Sequence, residues 1–342
     1  MKVIRNHMFQ TDQYNGRNIL VIGGLGFIGS NLAARLVELG AHVMLVDSLI
    51  PEHGGNLFNI DPIKDRVTVN IADVRDEHSM QYLVQNHDFV FNLAGQTSHL
   101  DSMHDPDTDL DINCRAQLKF LEACRSNNPT CRIVFASTRQ VYGKPEYLPV
   151  DELHPLSPVD VNGINKLAGE WYHLLYTNVY GIRSTVLRLT NTIGPRMRVK
   201  DARQTFLGIW IRLLVEGKPF EVWDGHQLRD FTYVDDAVDA LLMAAASDRS
   251  YGRVFNLGGD QVISLKDLAD LLVSVYGSGT YQERAFPDDR KRIDIGDYYA
   301  ADGLIRNTLG WAPHVPLVDA LKRTIEYYET FGAHYWEDEV KV

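Results

Sequence analysis

The segment Asn18-Ile19-Leu20-Val21-Ile22-Gly23-Gly24-Leu25-Gly26-Phe27-Ile28-Gly29 decides the fold, because a short apolar run enters a glycine-rich turn and then an apolar helix pattern. In such a turn Gly23 allows the tight bend, Gly26 lets the backbone approach a pyrophosphate, and Gly29 lets the helix pack closely on the sheet. The helix N-terminus offers unpaired N–H groups and a partial positive charge to the phosphates. The residues expected against a dinucleotide are therefore Gly23, Gly26, Phe27, Ile28 and Gly29.

The next apolar run, His42–Val46, is followed by an acidic residue that bears on the choice of cofactor. Asp47 can accept hydrogen bonds from an adenosine ribose, whereas its negative charge would repel a 2′-phosphate. No arginine that would hold such a phosphate follows in residues 48–50, so we expect NAD rather than NADP. Asp73, after the third run, can contact the adenine amino group or cap a helix, although Asp76 is the better placed cap.

Short apolar, β-branched runs alternate with helical patterns over most of the chain. Such alternation requires crossover connections, so it predicts an α/β fold with a doubly wound parallel sheet of the Rossmann type. The predicted strands are Asn18–Ile22, His42–Val46, Val67–Ile71, Phe89–Leu93, Arg132–Ala136, Ser184–Leu189 and Val254–Leu257. The predicted helices are Phe27–Leu39, Glu77–Asn86, Ile112–Arg125 and Gly163–Tyr180.

The pattern changes after about Asn191, where glycine and proline punctuate the chain and basic residues become frequent. We therefore predict a smaller C-terminal substrate-binding lobe. Residues 1–190 together with about 229–258 form the cofactor domain, and residues 191–228 and 259–342 form the lobe. A basic cluster in the lobe fits a diphosphate ligand and a solvated helix face equally well. Its members are Arg196, Arg198, Lys200, Arg203 and Arg212.

Composition excludes several classes of protein. The formal net charge of −11 argues against non-specific binding to nucleic acid or to an anionic membrane. No apolar stretch approaches the ~20 residues that a membrane span needs, and the first 17 residues do not resemble a signal peptide. The cysteines Cys114, Cys124 and Cys131 lack metal-site spacing, so we expect no metal and a reduced, cytoplasmic protein.

Further motifs follow the glycine turn in a fixed order. They are Asp47, Asp73-Val74, Asn92–Gly95, Ser137-Thr138 before Val141–Gly143, Lys166, Arg188–Asn191 before Gly194-Pro195, and Arg229–Asp236. This set resembles the extended short-chain dehydrogenase/reductase family, the group of nucleotide-sugar epimerases and dehydratases. The resemblance covers roughly Asn18 to Tyr328, and the ordered set is much more specific than any single motif. It implies an NAD-dependent enzyme that acts on a nucleoside-diphosphate sugar.

The resemblance also implies roles for individual residues on the cofactor side. Asn113 would hold the helix behind the site, and Lys166 would bind the nicotinamide ribose and lower the pKa of a neighbouring base. Thr138 would form a hydrogen bond with the reacting sugar hydroxyl. Besides the glycine turn and Asp47, the implied cofactor-binding residues are Asp73, Val74, Leu93, Ala94, Gly95, Asn113 and Lys166.

On the substrate side, the resemblance implies that Asn191 and Arg229 grip the pyrophosphate and that Arg292 adds a phosphate contact. Val222 and Trp223 would border the nucleotide base, although a tryptophan of the hydrophobic core fits the sequence as well. His99 either faces the substrate or is an ordinary polar residue of the loop. The implied substrate-binding residues are Gln96, His99, Asn191, Arg203, Val222, Arg229 and Arg292.

The general base departs from the family pattern. The family places a tyrosine four residues before the lysine, where this chain has Asn162, and an amide cannot take a proton from a hydroxyl at neutral pH. One explanation is a different base: Tyr142, His99, Lys166, or a water held by Asn162 and Thr138. Asn162 can also be a substitution made to trap a ligand, or the protein can bind its ligands without the redox cycle. We favour a replacement base, and the candidate catalytic residues are Thr138, Lys166, Asn162 and Tyr142.

A second departure concerns the reaction type. The family's 4,6-dehydratases follow the threonine with an Asp-Glu pair that performs the elimination, whereas this chain has Arg139-Gln140. Neither residue can serve as that acid–base pair. The sequence therefore favours an epimerase over a dehydratase or decarboxylase on the same scaffold, and over a non-catalytic binding protein. The helices Ile112–Arg125 and Gly163–Tyr180 carry surplus apolar positions, and the resemblance implies that they form a homodimer.

Overall fold

The computed structural model describes residues 13–50, 53–201, 205–287 and 293–336. Its strands are β1 (Asn18–Ile22), β2 (His42–Asp47), β3 (Val67–Ile71), β4 (Phe89–Asn92), β5 (Arg132–Thr138), β6 (Arg183–Leu189), β7 (Asn191–Ile193), β8 (Phe220–Trp223), β9 (Leu228–Tyr233), β10 (Val254–Asn256), β11 (Val262–Ser264) and β12 (Tyr281–Arg284). Its helices are α1 (Phe27–Glu38), α2 (Glu77–Leu83), α3 (His99–His104), α4 (Pro106–Leu110), α5 (Ala116–Asn127), α6 (Val161–Tyr180), α7 (Phe206–Val215), α8 (Val234–Ala246), α9 (Leu265–Tyr276), α10 (Gly303–Leu309), α11 (Leu317–Phe331) and α12 (Ala333–Trp336). A π-helical turn, Asp111–Arg115, joins α4 to α5.

The main sheet has seven parallel strands in the order β3-β2-β1-β4-β5-β6-β10. The predicted doubly wound parallel sheet is thus confirmed. The strand order reverses between β1 and β4, and in such sheets ligands bind in the crevice outside the carboxyl ends at that point. The fold therefore places a binding crevice directly above the glycine turn that follows β1.

Helices cover both faces of this sheet, which explains why its central strands are apolar throughout. Ile19 and Val21 of β1 pack in a core with α1, α8 and α10, whereas Leu20 and Ile22 pack in a second core with α2, α5 and α6. All four side chains are at most 1% exposed. Burial of these apolar side chains in the two cores stabilises the strand that leads into the glycine turn.

The smaller lobe surrounds a separate core. The strands β11, β9 and β7 form one sheet, β12 and β8 form another, and helices α7, α9 and α11 pack against them. We expected the chain to return to the main sheet within about 229–258, and α8 and β10 make this return, whereas β9 at the start of that range pairs with β7 and β11 in the lobe. The helix α10, placed by sequence in the lobe, packs against the main sheet through Ile305 and Leu309. The proposed domain boundaries stay a prediction.

In the ranges that the structure describes, no helix combines the length and the apolar character needed to cross a membrane.

Candidate active site

A cleft crosses the carboxyl ends of β1, β2, β4, β5 and β6 and continues onto β7. One end holds Asp47 and Asp73, and the other holds Thr138, Lys166 and Asn191. The predicted site residues that line it are Gly23, Gly26, Phe27, Ile28, Gly29, Asp47, Asp73, Val74, Leu93, Ala94, Gly95, Gln96, His99, Thr138, Asn162, Lys166 and Asn191. The structure therefore gathers the two ends of the sequence pattern into one continuous site.

The glycine turn has one position that faces open space. A Cβ at Gly29 would lie 2.1 Å from the Gly23 carbonyl oxygen, so the turn itself forbids a side chain there. A Cβ at Gly26 would meet only that same oxygen, at 3.4 Å. Gly26 caps α1 without a side-chain hydrogen bond, and the first turn of α1 carries no acid. The helix thus presents free N–H groups and uncompensated positive charge to the cleft, which fits a pyrophosphate.

Asp47 is held in place from both sides. Its Oδ2 accepts a hydrogen bond from the Leu25 backbone N–H and its Oδ1 accepts one from Leu49, each at 3.0 Å. Burial raises the pKa of this carboxyl, while these backbone donors act in the opposite direction. Since each carboxylate oxygen keeps a lone pair, Asp47 can still accept hydrogen bonds from the two hydroxyls of an adenosine ribose.

Asp73 lies on the rim of the cleft and is paired with a neighbour. Its carboxylate binds the Arg75 guanidinium, with an NH2–Oδ2 distance of 2.6 Å, and this hydrogen bond lowers the pKa of Asp73. As the sequence suggested, Asp76 caps α2 by accepting hydrogen bonds from His78 and Ser79. Asp73 is therefore free of the capping role, and a contact with adenine stays a prediction.

Lys166 reaches the cleft from α6 through a gap that Gly95 leaves. Its ammonium group donates a hydrogen bond to the Ala136 carbonyl at 3.1 Å and lies 4.9 Å from the centre of the Phe135 ring. Burial lowers the pKa of Lys166 to about 8, against the opposing charges of Asp109 and Glu170. A Cβ at Gly95 would come within 2.7 Å of the ammonium nitrogen.

Asn162 belongs to a buried polar network that sequence reasoning missed. Asp109 is fully buried, and its carboxylate accepts hydrogen bonds from the amides of Asn113 and Asn162, both at 3.0 Å, and Asn165 at 2.8 Å. Asn162 also donates to the Gln96 carbonyl at 2.7 Å, so both of its amide hydrogens are used. Its Oδ1 is left as an acceptor at the cleft wall.

Tyr142 does not lie in the cleft, and its assignment as a catalytic residue has to be corrected. The side chain is fully buried beneath the loop that follows β5. Its hydroxyl donates to Asn256 Oδ1 at 2.6 Å and accepts from Arg188 at 2.8 Å. Burial raises the pKa of Tyr142 to about 12. The phenol can therefore neither reach a ligand in the cleft nor give up its proton readily at neutral pH.

His99 does face the cleft, at the start of α3, and it has an acidic neighbour. Its Nδ1 lies 2.9 Å from Asp160 Oδ2, although the ring N–H does not point at that oxygen. Asp160 is itself buried, and its other oxygen caps α6 by accepting a hydrogen bond from the Gly163 N–H at 2.6 Å. The sequence did not reveal this pairing, because 61 residues separate the two side chains.

The turn after β5 positions Thr138 and Arg139 side by side. Thr138 Oγ1 accepts a hydrogen bond from the Gln140 N–H at 3.3 Å and keeps its own proton to donate. Arg139 lies on the cleft wall, donates to Asn191 Oδ1 at 3.1 Å and packs 5.3 Å from the Tyr298 ring. Its NH1 group has no acceptor among the described residues. Gln140 is buried and donates a hydrogen bond to Asp160. Since arginine and glutamine carry no carboxyl group, the two residues that follow Thr138 supply none to the cleft.

Two predicted substrate residues lie outside the cleft lining, and two fall outside the described ranges. Val222 is fully buried in the core of the lobe with Phe220, so its side chain does not border a ligand. Arg229 lies behind the wall, where it donates to the carbonyls of Leu228 and Gly296. Burial lowers the pKa of Arg229 to about 10, and a pyrophosphate contact would require it to rotate. The two residues outside the described ranges are Arg203 and Arg292.

The basic cluster of the lobe is largely engaged with other groups. Arg198 pairs with Asp201 at 2.6 Å, and Arg212 pairs with Glu216 at 3.1 Å. Arg196 donates to Asn31 at 2.6 Å. These contacts favour a structural role for the described members of the cluster over a diphosphate site.

The fold and the cleft define a dinucleotide-binding protein of the Rossmann class. More narrowly, the chain belongs to the NAD dependent epimerase/dehydratase family, whose sequence model matches residues 19–258. The family resemblance and the choice of NAD as cofactor are thereby confirmed. The Gly26 opening, the bare helix N-terminus and the Asp47 acceptor are the features of this chain that fit NAD.

Relatives of known name cover nearly the whole chain. A protein of Methanocaldococcus jannaschii with a provisional UDP-glucose 4-epimerase name is 33% identical over 90% of this chain and 97% of its own. A dTDP-glucose 4,6-dehydratase of Streptomyces niveus is 29% identical over 93% and 94%. The structure of a UDP-glucose 4-epimerase from Thermotoga maritima with UDP-glucose superposes with a TM-score of 0.82, at 30% identity, over 92% and 99%.

Proposed function

We propose that this protein is an NAD-dependent epimerase of a nucleoside-diphosphate sugar that acts, most simply, at C4 through a transient 4-keto sugar. One observation carries the choice among the reactions of the family. Of the described residues that line the cleft, the carboxylates are Asp47 and Asp73, and both lie at its far end from Thr138 and Lys166. Elimination of water needs an acid–base pair at the reacting end, whereas epimerisation needs only hydride and proton transfer.

The residues at the reacting end suit a sugar whose oxygen changes its charge. Bound NAD supplies the hydride acceptor and returns the hydride. The Thr138 hydroxyl donates a hydrogen bond to the reacting oxygen, and the Lys166 ammonium group supplies positive charge beside it. The fixed Asn162 Oδ1 accepts a hydrogen bond from a ligand hydroxyl at the same wall. Arg139 and Asn191 lie next to Thr138, where donors can hold the sugar or its diphosphate.

The test is direct turnover of a panel of sugar nucleotides. The purified protein is incubated with UDP-, GDP-, CDP- and dTDP-hexoses, and the products are analysed by NMR and mass spectrometry. We expect a product of unchanged mass and inverted configuration. Loss of a water mass would assign a dehydratase instead. Retained NAD without turnover or sugar-nucleotide binding would favour a non-catalytic binding protein.

Decarboxylation of a nucleotide-linked uronic acid is a second candidate, favoured by Arg139. Its NH1 group has no acceptor among the described residues, and it lies beside the threonine that would hold the reacting hydroxyl. A guanidinium binds a carboxylate well, because two N–H groups match two oxygens. The same panel therefore includes UDP-glucuronic acid. Loss of a carbon dioxide mass distinguishes this reaction from epimerisation of the acid.

We also propose that the protein forms a homodimer through α6. One face of this helix exposes a row of apolar side chains at helical spacing, each at least half exposed. The row consists of Ile164, Trp171, Leu175 and Val179. A second copy related by a two-fold axis presents the same row, so each face covers the other.

A further inference from the structure

The proposed reaction needs a group that takes the proton of the sugar hydroxyl, and this inference rests on that function. The described lining of the cleft contains few titratable side chains: Asp47, His53, Asp73, His99, Arg139 and Lys166. Asp47, His53 and Asp73 belong to the end where the adenosine is expected, since the charge of His53 acts on both carboxyls. The choice at the reacting end therefore lies between His99, Arg139 and Lys166.

Two of these three groups are donors rather than bases. A guanidinium does not lose its proton in a protein, which excludes Arg139. With a pKa of about 8, Lys166 carries its proton over most of the neutral range, and that ammonium group already donates to the Ala136 carbonyl. Asn162 is an amide whose hydrogens are both committed, and Tyr142 is buried away from the cleft. The imidazole of His99 is left as the group that can both accept and release a proton.

The surroundings of His99 provide the orientation that a histidine base requires. Asp160 contacts Nδ1 at 2.9 Å, so a proton is best held on that nitrogen and Nε2 is left to accept. In the structure this pair is close but not aligned as a hydrogen bond. Asp160 is in turn fixed, because its other oxygen caps α6. The imidazole itself lines the cleft, where Nε2 can meet a ligand hydroxyl.

We infer that His99, oriented by Asp160, is the catalytic acid–base of this protein and replaces the phenol that the family places at position 162. Bound NAD would supply the acceptor for the hydride that leaves the sugar C–H bond; as the C=O bond forms, the hydroxyl proton would pass to His99 Nε2. Buried Asp160 stabilises the resulting imidazolium. When the keto sugar has turned, the electron pair returns as hydride to the other face, and His99 gives its proton back to the oxygen.

The experiment compares His99→Gln with wild type on a sugar nucleotide that the wild type turns over. Glutamine keeps polarity but cannot shuttle a proton, so we expect kcat to fall about 10²–10⁴-fold. The dissociation constant of the sugar nucleotide, measured by calorimetry, should change less than threefold. His104→Gln is the matched control, since His104 lies on the same helix, is exposed and does not line the cleft. It should keep wild-type kcat.

A pH profile separates proton transfer from a structural effect. The wild-type kcat should decline on the acid side, because a protonated imidazole cannot accept a proton, and His99→Gln should lack this limb. The charged groups that the structure places near this pair are Asp160 at the N-cap of α6, Arg139, on which the charge of Asp160 also acts, and Lys166, which lines the same cleft. Asp160→Asn tests the positioning role, because asparagine is an equally good helix cap. We expect it to lower kcat by roughly 10²-fold with little change in KM.

The possible failures are distinct. A wild-type protein that converts no sugar nucleotide overturns the proposed function and this inference together. An active wild type whose His99→Gln variant stays within threefold in kcat, with the acid limb intact, overturns this inference alone. A water between Asn162 and Thr138 would then be the base. If His99→Gln does not fold, an unchanged kcat in Asp160→Asn has the same meaning.

Discussion

At the scale of single residues, the position of Tyr142 makes a prediction that separates stability from catalysis. Tyr142→Phe leaves Asn256 and Arg188 each without one buried hydrogen-bond partner. We expect the free energy of unfolding to fall by about 1–3 kcal/mol, measured by urea denaturation. The kcat for a sugar nucleotide should stay within threefold of wild type, because the phenol does not reach the cleft. A large loss of kcat at unchanged stability would restore Tyr142 as the base.

Lys166 makes a second prediction at this scale, which concerns stability and pH. Burial lowers the pKa of the folded state to about 8, below the ordinary value of 10.5, so the folded chain binds fewer protons than the unfolded chain between these pH values. The free energy of unfolding of wild type therefore rises as pH increases through this window. Below pH 8 the cost of burying the charged ammonium group is fully present. Lys166→Met removes that penalty.

The measurement is urea denaturation of both proteins without ligand at a series of pH values. We compare the free energy of unfolding of Lys166→Met with that of wild type at each pH. The difference should favour the variant more at neutral pH than near pH 10.5, by an amount on the order of 1–3 kcal/mol. The comparison uses this change with pH, because the variant also leaves the Ala136 carbonyl without its donor at every pH. A gap that is constant across the range would show that the buried lysine is not the source.

At the scale of elements, the turn between β1 and α1 separates a glycine needed for folding from one needed for the ligand. Gly29→Ala would place a Cβ 2.1 Å from the Gly23 carbonyl oxygen, so we expect it to destabilise the protein by about 1–3 kcal/mol. Gly26→Ala meets protein at 3.4 Å only and has an extended backbone that alanine adopts readily. It should melt within about 2 °C of wild type, since surface-like changes cost little.

The same pair should behave in the opposite way toward NAD. The methyl group of Gly26→Ala projects where the pyrophosphate approaches the helix, so we expect the NAD dissociation constant to rise about tenfold or more, measured by calorimetry. Equal NAD affinity in Gly26→Ala and wild type would show that the cofactor does not approach this backbone. The two substitutions add the same single carbon, and each is therefore the other's control.

The elements also show what sequence could and could not predict. The strands β1 and β3 were predicted with their observed bounds. β1 appears as an uninterrupted apolar run because it is buried on both faces, whereas β3 lies at the edge of the sheet, is partly exposed and alternates apolar with polar residues. The helices α3 and α4 were missed, since they are short and rich in aspartate. Their consequence is large: α4 carries Asp109, which fixes Asn162. Such a network joins residues 53 positions apart, and local periodicity contains no signal for that pairing.

At the scale of the whole molecule, the cofactor-binding half of the site was more predictable from the sequence than the substrate-binding half. The cofactor half depends on local motifs, and its predicted residues line the cleft, apart from Asn113, which lies behind it and donates to the Gln96 carbonyl. The substrate half depends on how the lobe folds back, which apolar patterning does not specify. Val222 therefore turned out to belong to the core of the lobe, and Arg229 to a layer behind the wall.

The exposed apolar row on α6 leads to a prediction about the oligomeric state of the protein. Trp171→Glu places a charge at the centre of a face that a second copy would cover, so desolvation of that charge should separate the subunits. Sedimentation analysis should show a dimer for wild type and a monomer for the variant at micromolar concentration. Leu153→Glu is the control, because Leu153 is 89% exposed but lies in a loop outside α6. A wild-type monomer, or a Trp171→Glu dimer, would contradict the proposed interface, and the apolar row would then need another partner.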